Sequence, residues 1–137
     1  MRCVSTAVAL AIVLAAAVPV SAHHSFAAQF DGSKPITLVG AITRVEWRSP
    51  HIWVYFDVKN PDGSVTNWQC EGGAPNQLTR QGWTRESLTI GGTLEVYGYL
   101  ARDGTKTCNA RTWKLGGRSV LAGAADDGAP AAPRPNR

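Results

Sequence analysis

Alternation of apolar and polar residues with a period of two runs through most of the chain. Residues 51–58 read HIWVYFDV, which puts Ile52, Val54, Phe56 and Val58 on one face and His51, Trp53, Tyr55 and Asp57 on the other. The first set is the core side of a strand. Asn60-Pro61-Asp62-Gly63 follows as a turn signal, and residues 64–71 form the return strand with Trp68 and Cys70 sharing a face. A second hairpin repeats the plan. In residues 93–101, Leu94, Val96 and Leu100 alternate with Glu95, Tyr97 and Tyr99, and Arg102-Asp103-Gly104 turns the chain into a strand at 107–115.

Upstream, residues 36–47 make one long strand in which the apolar parity slips between Ile36/Leu38 and Val45/Trp47. Gly40 lies at the slip, where a glycine suggests a bulge or sharp bend, and a strand so bent can serve two sheets. Between the hairpins, residues 75–81 form the one helical candidate. Pro75 suits the first helical position, Gly82 suits the left-handed position past the end, and Trp83 falls where a Schellman cap brings an apolar residue back onto Leu78. Trp83 is therefore read as a structural plug. The order is long bent strand, strand, strand, short helix, strand, strand, with residues 118–121 as an optional sixth strand. The fold expected is all-β with little helix: a five- to six-stranded OB-like β-barrel with one short helix between strands 3 and 4.

The ends of the chain have other patterns. Met1-Arg2 is a short positive start, residues 7–18 are almost wholly apolar, and Val20-Ser21-Ala22 ends in small residues, the layout of a secretory signal peptide over residues 1–22. The apolar run is short for a membrane span of about 20 residues, and Pro19 interrupts it before the small residues. No membrane span is expected once the signal is removed, and the location expected is periplasmic or secreted. The mature chain would begin at His23. Residues 122–137, AGAADDGAPAAPRPNR, carry no large apolar residue and read as a disordered tail, so the folded domain spans 23–121.

Removal of 22 residues from 137 leaves one domain's worth of chain. Arg2 departs with the signal, so 13 basic and 10 acidic residues remain, with both signs interleaved and no basic block. Nucleic acid is not an expected partner. Cys3 also departs, leaving Cys70 and Cys108 as an even pair in an oxidising compartment, each on the inward parity of its strand. A disulfide between them would close a loop worth nominally about 4 kcal/mol on the loop-entropy account. A redox or metal pair lacks both a C-x-x-C spacing and a neighbouring histidine.

The three histidines are His23, His24 and His51. Cleavage before His23 would let it offer its α-amino nitrogen and a ring nitrogen to one ion, a chelate no internal histidine can make. A second imidazole completes three nitrogens in the planar arrangement that suits copper(II), similar to the histidine brace of some secreted copper proteins. His51 is the natural second imidazole, and His24 is closer along the chain but geometrically tighter. The plainer reading is that the terminal histidines are solvated and His51 accepts a hydrogen bond at a strand start.

The stretches HHSFAAQFD, ITRVEWRSPHIWVYFDV, NWQCEGGAPNQLTRQGWTRESL and GYLARDGTKTCNAR together resemble a family of uncharacterised exported bacterial proteins, domain of unknown function 6152. The resemblance runs over about residues 22–123 and implies a single secreted domain with a His-His start and a Pro-His pair. It implies no activity. The sequence departs from it in carrying Cys70 and Cys108 at positions expected to be small or aliphatic, which fits a disulfide particular to this chain.

No nucleophile elbow, H-E-x-x-H or phosphate-cradling loop is present, so catalysis is not expected. Glu71 is read as an exposed strand end in preference to a general base or a metal-facing carboxylate. Two functions are carried forward. One is a metal-binding protein for copper or another transition metal, with His23, His24 and His51 as ligands. The other is a metal-free binding module for a small molecule, glycan or protein partner through Trp53 and Tyr55. Against the second stands the prospect that Phe26 and Phe30 fold over the outward aromatics Trp53, Tyr55, Tyr97 and Tyr99. That same folding would carry His23 towards His51.

Overall fold

A computed structural model of the chain describes residues 26–123 and 128–132. The elements in order are α1 (Phe26–Gln29), β1 (Phe30–Glu46), β2 (Trp53–Lys59), β3 (Val65–Glu71), α2 (Pro75–Arg80), a 3-10 turn (Arg85–Ser87), β4 (Thr93–Ala101), β5 (Thr107–Leu115) and β6 (Arg118–Leu121). The chain is mostly β, and all six strands lie in one sheet of order β3-β2-β1-β4-β5-β6. An additional pairing joins β3 to β5, so the hydrogen bonds run in a ring through β1, β2, β3, β5 and β4. Every neighbouring pair is antiparallel except β3 and β5, which are parallel through Gln69↔Thr107, Cys70↔Cys108 and Glu71↔Asn109.

The long strand is the hinge of this ring. β1 pairs with β4 over Pro35 to Ala41 and with β2 over Ala41 to Glu46, so its two halves face different neighbours within one sheet. The register shift lies between Ile42 and Arg44 and not at Gly40. Leu38, Gly40 and Ile42 are all buried on one parity, and the slip that brings Val45 inward comes after them. Gly40 has a different task, since a Cβ there would collide with the Asp57 carbonyl oxygen. The missing side chain allows close strand approach. β1 also starts earlier than the periodicity indicates, at Phe30, because its register with β4 breaks between Phe30 and Pro35 and resumes.

The core inside the ring follows from the alternation. Val54, Phe56, Cys70, Leu94, Val96, Cys108 and Trp113 are buried there, with Leu78 and Trp83 closing it. α2 ends as its sequence dictates: Gly82 has φ +78°, its N–H donates to the Thr79 carbonyl at 2.9 Å, and the Trp83 N–H donates to the Leu78 carbonyl at 3.1 Å. This is the Schellman pair, and it drives the Trp83 ring inward beside Trp113.

Cys70 and Cys108 are disulfide-bonded, with Cα atoms 4.5 Å apart. The bond sits at the middle register pair of the β3–β5 seam. β6 is the one strand outside the ring, and it is tied to the residues that follow α2: Gln81 Nε2 donates to the Leu121 carbonyl and Arg118 Nη2 to the carbonyls of Gln81 and Gly82. The packed body continues past residue 121. Ala122 is fully buried, its N–H donates to Arg111, and its carbonyl accepts from Gly73. Further on, Ala129 packs on a second apolar cluster formed by Phe26, Phe30 and Tyr99. Among the described residues no helix is long and apolar enough to cross a membrane.

Candidate functional site

Strand parity decides what stands on the outer side of the seam. Cys70 and Cys108 point inward, so Gln69 and Glu71 on β3 and Thr107 and Asn109 on β5 point outward. The register extends this into two rows. One runs Trp53–Glu71–Asn109–Tyr99, and the neighbouring one starts Tyr55–Gln69–Thr107. Two aromatic residues of β2 and one of β4 therefore flank four polar side chains.

α1 lies against this face. Phe26 meets Tyr99 edge-on with ring centroids 5.6 Å apart and stacks on Phe30 at 5.7 Å, while Tyr97 meets Tyr99 at 5.9 Å. Tyr99 is only 4% exposed as a result, and burial, first, with the hydroxyl of Tyr97 next, pushes its pKa up to about 12. Arg102 fixes the helix in place. Its Nε donates to the carbonyls of Ala27 and Phe30 at 2.9 and 3.0 Å, and its backbone N–H donates to Gln29. The expected cover over the outward aromatics is thus present on the β4 side, over Tyr97 and Tyr99. On the β2 side Trp53 and Tyr55 are half-buried and stand outside that cluster.

Tyr55 is largely committed. The Arg44 guanidinium stacks 3.6 Å from its ring centroid, and its hydroxyl donates to Glu46 Oε1 at 3.3 Å. Burial, with the Glu46 carboxylate beside it, holds the Tyr55 hydroxyl above the ordinary tyrosine range. Trp53 instead lines a cleft of about 410 Å³ between α1 and the seam, together with Phe30, Gln69, Arg102, Thr105 and Thr107. A smaller recess of about 210 Å³ adjoins it and shares Gln69, Thr105 and Thr107, with Tyr55 and Lys106 further along.

His51 lies two residues before β2, and the backbone pins it. The Ile52 N–H donates to Gly73 at 3.0 Å and the Ile52 carbonyl accepts from Gly72 at 2.8 Å, which holds residue 51 beside the end of β3. Its Nδ1 is paired with Glu71 Oε1. Glu71 is not the exposed strand end expected of it, since its side chain is 12% exposed and tied to the histidine. The alternation of β3 carried a signal for this: Glu71 shares the outward parity of Gln69.

His23 and His24 lie outside the described residues, as does the proposed leader at 1–22. Among the described residues no group of three or more His, Cys, Asp or Glu side chains is placed to hold a metal ion. His51 and Glu71 bring two such groups together. Sequence reasoning missed Gln69, Arg102 and Thr107. Parity alone puts Gln69 and Thr107 outward, but the parallel pairing that makes them neighbours joins strands 38 residues apart.

No curated protein and no solved structure matches the chain. The description of one family, a family of unknown function (DUF6152), matches residues 9–110, which is most of the sequence, and the chain belongs to that family.

Proposed function

We propose that this is an exported, small OB-like β-barrel protein that binds copper(II), or another transition metal, through the amino group and ring of His23 together with the ring of His51, with His24 as a further donor. The observation that carries the reading is the pairing of His51 Nδ1 with Glu71. Histidines that hold metals commonly give one ring nitrogen to a carboxylate, which fixes the tautomer and leaves the other nitrogen for the ion. Here that leaves Nε2.

The reach of the amino terminus supports the same reading. Phe26 is anchored on Tyr99, and the row from Tyr99 through Asn109 to Glu71 crosses two strand spacings, roughly 10 Å. His23 precedes Phe26 by three residues, a span of up to about 10 Å when extended. Export is supported by the signal-like residues 1–22 and by a buried disulfide, a bond that persists in oxidising compartments. The barrel reading is supported by the ring of hydrogen bonds with its parallel β3–β5 closure and by the helix between β3 and β4. A bound ion would act as a Lewis acid or a redox centre, and the chain's own part is to present three nitrogens and orient one of them through Glu71.

The test compares copper(II) binding by a chain that begins at His23 with one carrying a single extra N-terminal residue, and with Glu71→Gln. Loss of tight binding on extension, and weakening of about 10- to 100-fold in E71Q, is the expected result. Equal affinity in the extended chain overturns the terminal chelate.

A further inference from the structure

We propose that the cleft between α1 and the β3–β5 seam is a binding site for a neutral saccharide, a site independent of the metal reading. Its volume, about 410 Å³, falls within the range of small-molecule sites, and the adjoining recess of about 210 Å³ lengthens it into a groove for more than one ring.

The lining chooses the ligand. Trp53 gives an aromatic wall that is half-buried and therefore still presents surface to the cleft, in contrast to Tyr55, whose ring carries Arg44. Such a surface suits the C–H face of a sugar ring. Along the floor, Gln69 Nε2 donates to Thr107 Oγ1 at 3.0 Å and Thr105 Oγ1 bonds to Thr107 Oγ1 at 2.9 Å. These amide and hydroxyl groups both donate and accept, as the hydroxyls of a sugar do. Thr107 is itself buried, but Gln69 is half-buried and Thr105 exposed, and a purely apolar ligand would bury those two without replacing their contact with water, at a cost.

Charge argues against an anion. Arg102 is the cation at the rim of the cleft, its Nε given to the carbonyls of Ala27 and Phe30, and Lys106 in the adjoining recess stands over the Trp68 ring at 5.6 Å. Asp103 stands next to Arg102, and hydrogen bonds from the side chain and backbone of Thr105 hold its carboxyl below the usual aspartate range, so it stays ionised. Within the cleft itself the charges of Arg102 and Asp103 offset one another. A neutral polyhydroxylated ring with one apolar face meets all three features: aromatic wall, hydroxyl floor and balanced rim.

The experiment titrates the full exported chain, freed of metal with a chelator, with maltotriose, cellotriose and chitotriose by calorimetry, and with trigalacturonate as the charged control. Binding of at least one neutral trisaccharide is expected, weakened at least about tenfold in Trp53→Ala and Gln69→Ala but by only about threefold in Trp53→Phe, which keeps a stacking ring. Thermal melts of each variant confirm that it is folded, and W53F and Q69A read the site if W53A does not fold. The proposal is overturned if no neutral trisaccharide binds at about 10 mM, a level that would detect even millimolar affinity. It is equally overturned if the Trp53 and Gln69 variants bind like the parent, or if trigalacturonate binds as well as the neutral sugars. Because metal is absent throughout, failure here leaves the copper experiment standing, and the converse holds.

Discussion

Inside the ring, Cys70 and Cys108 meet at the centre of the β3–β5 seam among Val54, Leu94 and Val96. Outside it, one residue to either side along the same two strands, stand Gln69, Glu71, Thr107 and Asn109. The two sides share a backbone and differ in parity alone. The inner side is apolar and covalently closed, while the outer side is polar and is flanked, over Tyr99 of β4, by a four-residue helix held by Phe26 and Arg102. The seam thus separates stability from chemistry across the thickness of one sheet: the inner residues hold β3 against β5, and that contact creates the outer row in which Glu71 meets His51 and Gln69 meets Thr107.

The comparison breaks most completely at the disulfide. Cys70→Ala with Cys108→Ala is expected to lower unfolding stability by up to about 4 kcal/mol, the loop-entropy figure for a bridge across 38 residues, read from urea denaturation. The outer pairing of Gln69 with Thr107 should loosen at the same time, visible as faster amide exchange at both residues. Unchanged exchange there would show that the three register pairs hold the seam without the bond.

Phe26→Ala attacks the other side. It removes the ring that covers Tyr99, and a smaller loss of about 1–3 kcal/mol is expected because the outer cluster is small. The aromatic resonances of Tyr97 and Tyr99 should move while those of Trp83 and Trp113 stay, since the two clusters are separate. Shifts of equal size in both sets would mean that the inner and outer layers are one cooperative unit.

The smallest effect belongs to the turns. Asp31, Asp62 and Asp103 each accept from the side chain and backbone of the Ser or Thr two residues on, and those hydrogen bonds hold all three carboxyls below the ordinary value of 3.8. A depressed carboxyl contributes stability that is present above pH 3.8 and fades as pH falls through its lowered folded value. Replacing all three by Asn should lower the melting temperature slightly at neutral pH and leave it almost unchanged at the acid end, so that the limb below pH 3.8 is flatter. A steeper acid limb in that variant would contradict the assignment.

What could be read in advance follows physical range. The strands at 53–59, 65–71, 93–101 and 107–115, the turns between them and the Schellman end of α2 all rest on residues within a few positions of one another. Alternation, a proline, a glycine and an apolar residue at the right offsets suffice. The bulge was misplaced because Gly40 carries two signals at once, permission to bend and permission for close approach, and only the Asp57 carbonyl on the neighbouring strand distinguishes them. Trp53 and Tyr55 look equivalent by parity, yet Arg44 takes one ring and leaves the other in the cleft.

By itself, then, the sequence determined the all-β character, the hairpins, the cap of the short helix and the inward parity of both cysteines, because each is set by local backbone preference and by which face must avoid water. Only the tertiary structure decided that β3 and β5 run side by side, that Glu71 turns to His51, and that α1 covers Tyr99 but leaves Trp53 lining a cleft. Those contacts join residues 20 to 73 positions apart. No local preference encodes them; they arise when the ring closes and residues of the same outward parity from different strands become neighbours.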